Sequence, residues 1–274
     1  MQQADAHRNA SLATAKRYIY RVTDTEQDLD SHGAVKKTNT EERENFWVNG
    51  IHISRLLSRD GKPISGDELK KQNVEIDKRI VAAKERQKAI AANPPPPSNK
   101  QSSTGLTLPR LFDLGTFSNP RRVVFHDRDT IAVDYTGNPS AKGRDVLESA
   151  VRYLNGTLWI DEQDHALVRV EAHFYDDFKL GGGMLADVHK GATFEQEWTK
   201  VNDEVWLPAL FAGHGSARIA LFFNHSGAVE TRESDYRKFQ ASSTVLPGFS
   251  TPDTDGDQAD RPVLEPAAPS SPNR

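Results

Sequence analysis

The sequence predicts a mainly β protein of the α+β class, in which about eleven strands form one antiparallel sheet and helices cover one of its faces. Three features predict this fold. Many short segments alternate apolar and polar residues with a period of two, tight turns such as Asn49-Gly50 and Asp60-Gly61 join consecutive segments, and one long helical segment follows the third strand. Strands that are joined by short turns pair antiparallel, so the sheet runs as a succession of hairpins.

The clearest hairpin spans Tyr153–Phe174. Its second arm places one set of side chains on one face, namely Ala166, Val168, Val170, Ala172 and Phe174. The other face receives Leu167, Arg169, Glu171 and His173. The polar run Glu162-Gln163-Asp164 supplies the turn, after a first arm that carries Leu158 and Ile160. One face of this hairpin therefore meets an apolar interior.

The chain before this hairpin opens with an alanine-rich helical lead-in over residues 1–16, which continues into the first strand at Tyr18. A second long polar strand follows, and a third covers Ile51–Leu57, so the three form an antiparallel meander. Ser65 and Glu68 have the spacing of a capping box, which predicts the start of a helix. The helix has one apolar stripe and therefore lies on a surface; the stripe consists of Leu69, Ile76, Ile80, Ala83 and Ile90.

A proline run ends this helix, and residues 93–105 are predicted to form an exposed linker rich in proline and serine. The more apolar segment Leu106–Phe117 predicts a short helix or turn that packs on the core. Two short strands follow, over Val123–Phe125 and Ile131–Tyr135. A helical turn over Val146–Leu154 then leads into the hairpin.

Four further strands are predicted after the hairpin, over Met184–Val201, Glu204–Leu210, Ala217–Phe223 and Val229–Phe239. Gly213-His214-Gly215 is predicted as the turn between the second and the third of them. Proline, serine and acidic residues dominate 241–274, which predicts a disordered tail. The chain is therefore expected to hold a single domain over 17–240, with the linker inserted in it.

The composition excludes several classes of function. The 274 residues include 35 basic and 39 acidic ones, mixed along the chain, and the net charge of -4 gives no nucleic-acid footprint. No run approaches the roughly 18 apolar residues of a spanning helix, so we expect a water-soluble protein that does not span a membrane. The absence of cysteine excludes disulfides, thiol catalysis and cysteine metal sites. The start of the chain has no apolar signal core, which fits a cytoplasmic protein or an exported one whose signal peptide has been removed.

No catalytic residue, metal ligand set or cofactor is predicted. Asp161, Glu162 and Asp164 could serve acid/base chemistry or bind a cation, but they lie at a hairpin tip, where acidic residues favour turns, so the turn interpretation is preferred. Glu171 and His173 project from the same strand face, yet the spacing offers no third metal ligand. A hydrolase is therefore only a distant third hypothesis.

Three segments carry a resemblance to a known class of proteins. Gly156-Thr-Leu-Trp-Ile-Asp161, Leu167-Val-Arg-Val-Glu171 and Val205-Trp-Leu-Pro208 resemble strands of the LolA/LolB-like superfamily of outer-membrane lipoprotein-sorting and sensor-like proteins, closest to its uncharacterised bacterial members. The resemblance covers residues 15–240. It implies an unclosed barrel, helices over the concave face, an apolar cavity that takes acyl chains, and a periplasmic location. It also implies a non-enzymatic binder of lipid or of another acyl-bearing ligand, with lipid or lipoprotein transport as one role.

The expected lining of this cavity consists of large apolar side chains and one arginine: Trp159, Val168, Val170, Phe174, Phe194, Trp198, Trp206, Phe222 and Arg169. Arg169 either forms a cross-strand ion pair, which is the favoured interpretation, or contacts a lipid headgroup. The alternative function is an envelope protein-interaction or sensor module, whose core is filled by its own side chains and which binds a protein partner and no lipid.

Overall fold

A computed structural model describes residues 14–30, 32–48, 50–93, 106, 108–183, 186–219 and 223–238. All of them belong to the compact unit Met1–Gln240. Most of the expected lead-in, the linker from residue 94 onward and the whole expected tail lie outside the described residues.

The described residues form thirteen strands and three helices. The strands are β1 Tyr18–Leu29, β2 Val35–Val48, β3 Ile51–Arg59, β4 Lys62–Pro63, β5 Gly115–Phe125, β6 Arg128–Gly137, β7 Leu154–Asp161, β8 Leu167–Phe174, β9 Phe178–Leu180, β10 Ala186–Val188, β11 Thr193–Val201, β12 Val205–Ile219 and β13 Phe223–Lys238. The helices are α1 Gly66–Ala92, α2 Leu108–Leu114 and α3 Val146–Val151.

Eleven of the strands follow one another across a single sheet in the order β4-β3-β2-β1-β13-β12-β11-β8-β7-β6-β5, and β9 and β10 extend it beside β12. Every pairing is antiparallel. The outer strands β4 and β5 do not pair with each other, so the sheet is open. The prediction of a mainly β, antiparallel and unclosed fold with one long helix is confirmed.

One predicted turn is wrong. Gly213-His214-Gly215 does not separate two strands but lies inside β12, which pairs with β11 and β13 on both sides. The reason is steric: a Cβ on Gly215 would come within 2.7 Å of the Cβ of Ala192, so the glycine permits a close approach between neighbouring segments. The predicted strand Met184–Val201 is instead two strands, β10 and β11, with Gly191 in the left-handed region between them.

The larger of two buried apolar clusters lies on one face of the sheet, called here the core face; the smaller one contains Tyr18, Val205 and Leu207. Helices α2 and α3 pack on the core face, and the larger cluster contains Leu111, Leu114, Tyr135, Val151, Leu154, Leu158, Phe174, Phe178, Val188 and Ala192. Arg110 ties the two helices together, because its guanidinium donates to both carboxylate oxygens of Glu148 at 3.0 Å. The core face is therefore filled by the chain itself.

Helix α1 begins as the capping box predicts, since the Ser65 hydroxyl accepts the backbone N–H of Glu68 at 3.2 Å. The Glu68 carboxylate pairs with Arg59 at 2.7 Å. The helix buries Ile76 and Ala83, two members of its predicted apolar stripe, and packs along β3 at one end of the sheet. Its long axis thus follows a sheet edge, whereas the resemblance implied a cover over the concave face.

The core face supplies a stability test. We expect Leu114→Ala, at a fully buried position of α2, to lower the free energy of unfolding by about 2–5 kcal/mol through lost burial and a new cavity. Leu147→Ala is the matched control, because this α3 leucine is 52% exposed and its truncation should cost about 0.5 kcal/mol. Urea unfolding followed by circular dichroism measures both. Equal losses would show that α2 does not belong to the core.

Candidate functional site

The face opposite the core face forms an open cavity, called here the trough, with a volume of about 910 Å³. It crosses seven neighbouring strands, from β6 to β1. The side chains that alternate with the core positions line it: Thr25, Gln27, Asp134, Thr136, Asn155, Thr157, Glu171, His173, Thr193, Glu195, Ala212, His214, Ala228 and Glu230. The period of two in each strand therefore separates an apolar face from a largely polar one.

Four carboxylates share one row of this trough. Strand register aligns Asp134 with Thr157, Glu171, Glu195, Ala212 and Glu230 in succession. At about 4.8 Å between neighbouring strands, the row from Asp134 to Glu230 is about 24 Å long. Among the described residues that line the trough there is no lysine or arginine.

Arg169 lies beside the centre of this row, two residues before Glu171 and on the same face of the sheet, where it pairs in register with Glu197. Its guanidinium pairs with Glu171, with Glu195 at 2.7 Å and with Glu197 at 3.0 Å. The rings of Phe125 and Trp159 each lie 5.3 Å from the guanidinium carbon. The ion-pair interpretation of Arg169 from sequence thus matches the structure.

These contacts leave the centre of the trough with an excess of negative charge, because three carboxylates share one guanidinium and the further partner, His126 at 3.6 Å, contacts Glu197. The crowding appears at Glu195, whose pKa is raised first by burial and then by the neighbouring Glu197 carboxylate. The ends of the row are better balanced, since Asp134 pairs with Arg121 at 2.8 Å and Glu230 with Arg232 at 2.7 Å.

The histidines of the trough do not complete a metal site. His173 and His214 flank Thr193 in one register row, on strands that are not neighbours. Across the described ranges, no group of three or more histidine, cysteine, aspartate or glutamate side chains could hold a metal ion.

A smaller cavity of about 240 Å³ lies near the tip of the β7–β8 hairpin. The pairing between β8 and β11 ends at Arg169 and Glu197, although both strands continue, so the sheet splits there. Asp161 is 1% exposed and binds Arg128 at 2.6 and 3.0 Å. One of its oxygens also accepts the backbone N–H groups of Gln163 and Asp164, at 3.1 and 2.7 Å. This geometry supports the turn interpretation of the hairpin carboxylates.

Asp164 bridges the split. Its carboxylate accepts from the indole N–H of Trp206 at 3.0 Å and from Lys200 at 2.8 Å, both next to the β11–β12 turn. Arg128 stacks over the Trp206 ring with its guanidinium carbon 5.4 Å from the centroid. The hairpin carboxylates therefore join two strand pairs, and each has a cationic partner.

The residues expected to line an apolar cavity are dispersed. Val170 and Phe174 pack in the core, and Phe194 packs there too while also bordering the trough. Val168, Trp198 and Trp206 line the smaller cavity, and Trp159 stacks on Arg169. Phe222 lies outside the described residues. The expectation of one apolar cavity formed by this set is therefore not met among the described residues, because α2 and α3 cover the core face.

Comparisons with known proteins gave similarity in fold only. No family model and no curated protein matches the chain. Among solved structures, a domain named as an outer membrane lipoprotein-sorting protein domain from Vibrio parahaemolyticus has 10% identity and a TM-score of 0.32, covering 89% of this chain and 94% of that one. A LolA superfamily protein from Nitrosomonas europaea has 12% identity and a TM-score of 0.30, covering 86% and 94%.

A third structure, a DUF1329 family protein from Desulfovibrio piger, has 9% identity and a TM-score of 0.31, covering 88% of this chain and 95% of that one. TM-scores near 0.3 carry no inference about function, so the ligand has to be argued from the trough itself. Among the described helices, none is long and apolar enough to cross a membrane.

The Asp161 network yields a pH-dependent prediction. Burial opposes ionisation of Asp161, but the hydrogen bonds from Arg128 and from two backbone N–H groups outweigh it and lower its pKa. The ionised carboxylate therefore stabilises the fold above the ordinary aspartate pKa of 3.8, and this contribution is lost as the pH falls through the lower pKa of the folded state. We expect Asp161→Asn to cost about 2 kcal/mol of unfolding free energy at neutral pH.

Urea unfolding as a function of pH measures this loss. The difference between wild type and Asp161→Asn should shrink as the pH is lowered below 3.8. Asp77→Asn, at an exposed position of α1 far from this network, serves as the control and should leave stability nearly unchanged. A difference that stays constant with pH would contradict an ionic role for Asp161.

Proposed function

We propose that this chain is a non-enzymatic binding module of the cell envelope that holds a polar, positively charged ligand in the trough. One observation carries the proposal: the trough is an open cavity of about 910 Å³ lined by four carboxylates, with no lysine or arginine in its described lining. Location in the envelope rests on the sequence resemblance and is part of the proposal.

A cationic ligand follows from the charge balance. Glu171, Glu195 and Glu197 share the single guanidinium of Arg169, and like charges this close destabilise one another until a further cation arrives. A ligand amine or guanidinium over Glu171 and Glu195 supplies that cation. Binding energy then comes from interactions that the free protein lacks.

The spacing of the row favours a ligand with several charges along a chain. Glu171 and Glu195 are on neighbouring strands, about 5 Å apart, while Asp134 and Glu230 each lie about 10 Å further out. An extended polyamine or a lysine-containing peptide segment that crosses the strands matches these separations. A compact monovalent cation would reach only the central pair.

Acyl chains, the ligand that the resemblance implies, fit this surface less well. An acyl chain needs a continuous apolar lining, whereas the twenty residues that line the trough include four carboxylates, two histidines and six threonine, asparagine or glutamine side chains beside apolar ones such as Phe194 and Val229. The apolar residues that could supply such a lining pack under α2 and α3. The geometry thus favours the alternative function from sequence, an envelope protein-interaction or sensor module with a filled core and no lipid ligand.

Two labelled probes test the proposal: a fluorescein-labelled peptide of alternating lysine and serine, and a dansyl-labelled fatty acid. We expect saturable binding of the peptide, weakened by salt, and no saturable binding of the fatty acid. Glu195→Gln should weaken peptide binding about tenfold, because it removes one of the two central charges. Glu75→Gln on the exposed face of α1 is the matched control and should leave it unchanged. Binding of the fatty acid alone would instead support the acyl carrier.

Glu195→Gln should also raise the stability of the free protein at neutral pH. Burial first and the Glu197 carboxylate second raise the pKa of Glu195, so its ionised form disfavours the fold, and a neutral replacement removes both the desolvation cost and the repulsion. The gain should vanish as the pH falls through the raised pKa and wild-type Glu195 becomes protonated. Thermal unfolding at several pH values measures this, and a destabilised variant would show that Glu195 serves the fold and not a ligand.

A further inference from the structure

The two outer ends of the sheet differ in how their edges are protected. An unpaired edge strand presents backbone N–H and C=O groups that can pair with another chain. At one end, β4 pairs with Ser58 and Arg59 of β3, and the Ile64 N–H donates to the Leu57 carbonyl at 3.0 Å. Among the described residues no strand pairs with residues 51–56 on that side. Helix α1 occupies this place.

Side chains of α1 bind the free backbone groups of β3. The Leu56 backbone N–H donates to Gln72 Oε1 at 2.9 Å, and Gln72 Nε2 donates to the Leu56 carbonyl at 3.3 Å. Two helical turns later, Arg79 Nη2 donates to the His52 carbonyl at 3.1 Å. The amide of Gln72 thus takes the place of a peptide group in a neighbouring strand.

The contact face of α1 is built for this position. Gln72, Ile76, Arg79 and Ala83 follow a spacing of four, three and four residues, which places them on one side of the helix. Ile76 and Ala83 are the buried residues of its 27, and Ile53 of β3 is fully buried. The helix therefore meets the sheet along a narrow stripe, with a polar group before each of the two apolar ones.

The opposite edge strand, β5, carries its own protection. Pro120 has no N–H to donate, Asn119 is in the left-handed region with φ of 50°, and the register with β6 shifts between Ser118 and Arg121. In β3 the register with β2 shifts only at Leu57, and the segment before it, Ile51–Leu56, has none of these features: it lacks proline and glycine and has one charged residue, Arg55. It is the edge that requires an external cover.

We propose that α1 is an edge guard that prevents β3 from pairing with β3 of a second copy of this chain. Residues 52, 54 and 56 point their backbone groups outward, since alternate residues share a side. A twofold axis at Ser54 brings Ser54 opposite Ser54 and His52 opposite Leu56, so all outward groups find partners. Arg55 then lies opposite Ile53, and no like charges meet.

The double variant Gln72→Ala, Arg79→Ala tests the proposal by light scattering coupled to size-exclusion chromatography over a range of protein concentrations. We expect wild type to remain monomeric and the variant to reach twice that mass as concentration rises. Glu75→Ala, Lys78→Ala is the matched control, because this exposed ion pair lies on the same helix away from β3. It should remain monomeric.

A third change identifies the surface. Adding Ser54→Pro to the double variant removes the outward N–H at the centre of the edge and should restore the monomer. Gln72→Glu loses only the donor to the Leu56 carbonyl and should therefore dimerise more weakly than the double variant. If the double variant folds poorly, this single variant is compared with wild type in its place. The proposal is overturned if wild type is already dimeric, if the control dimerises equally, or if a folded double variant stays monomeric while hydrogen exchange shows the Leu56 amide exposed.

Discussion

Burial on one face of the sheet determines the rest of this structure. Because α2 and α3 cover only the core face, every second side chain along the central strands is committed to the interior and its neighbours are left to solvent. Leu158 and Val170, which pair with each other, face the helices, while the adjacent pair of Thr157 and Glu171 faces the trough. The polar character of the trough is thus a consequence of the packing on the other side.

Arg169 shows how such a polar face tolerates its own charges. A lone guanidinium among three carboxylates lowers their mutual repulsion without removing it, and the rings of Phe125 and Trp159 hold it in place. The pKa of Glu195 is raised, first by burial and then by the neighbouring Glu197 carboxylate. If this surface served only the fold, a second cationic side chain beside the three carboxylates would stabilise it. A positively charged ligand would account for the excess of carboxylates.

The fold class could be predicted from sequence because alternation is a local property, visible in a single arm such as Leu167–Phe174. The trough could not, because its row depends on register between strands far apart in the chain. Glu171 and Glu195 become neighbours only when β11 pairs with β8 and bypasses β9 and β10. The turn predicted at Gly215 was wrong for a related reason. The close contact of Gly215 with Ala192 is a tertiary one, and the local sequence around this glycine is the same as that of a turn.

An open sheet allows a broad trough but leaves two edges, and both must be kept from pairing. A closed barrel would remove the edges and enclose the row from Asp134 to Glu230 at the same time. This chain instead protects β5 within its own strand, through Pro120 and a register shift, and protects β3 with a separate helix. Because α1 follows the edge and not the centre of the sheet, the trough stays open along the seven strands that line it.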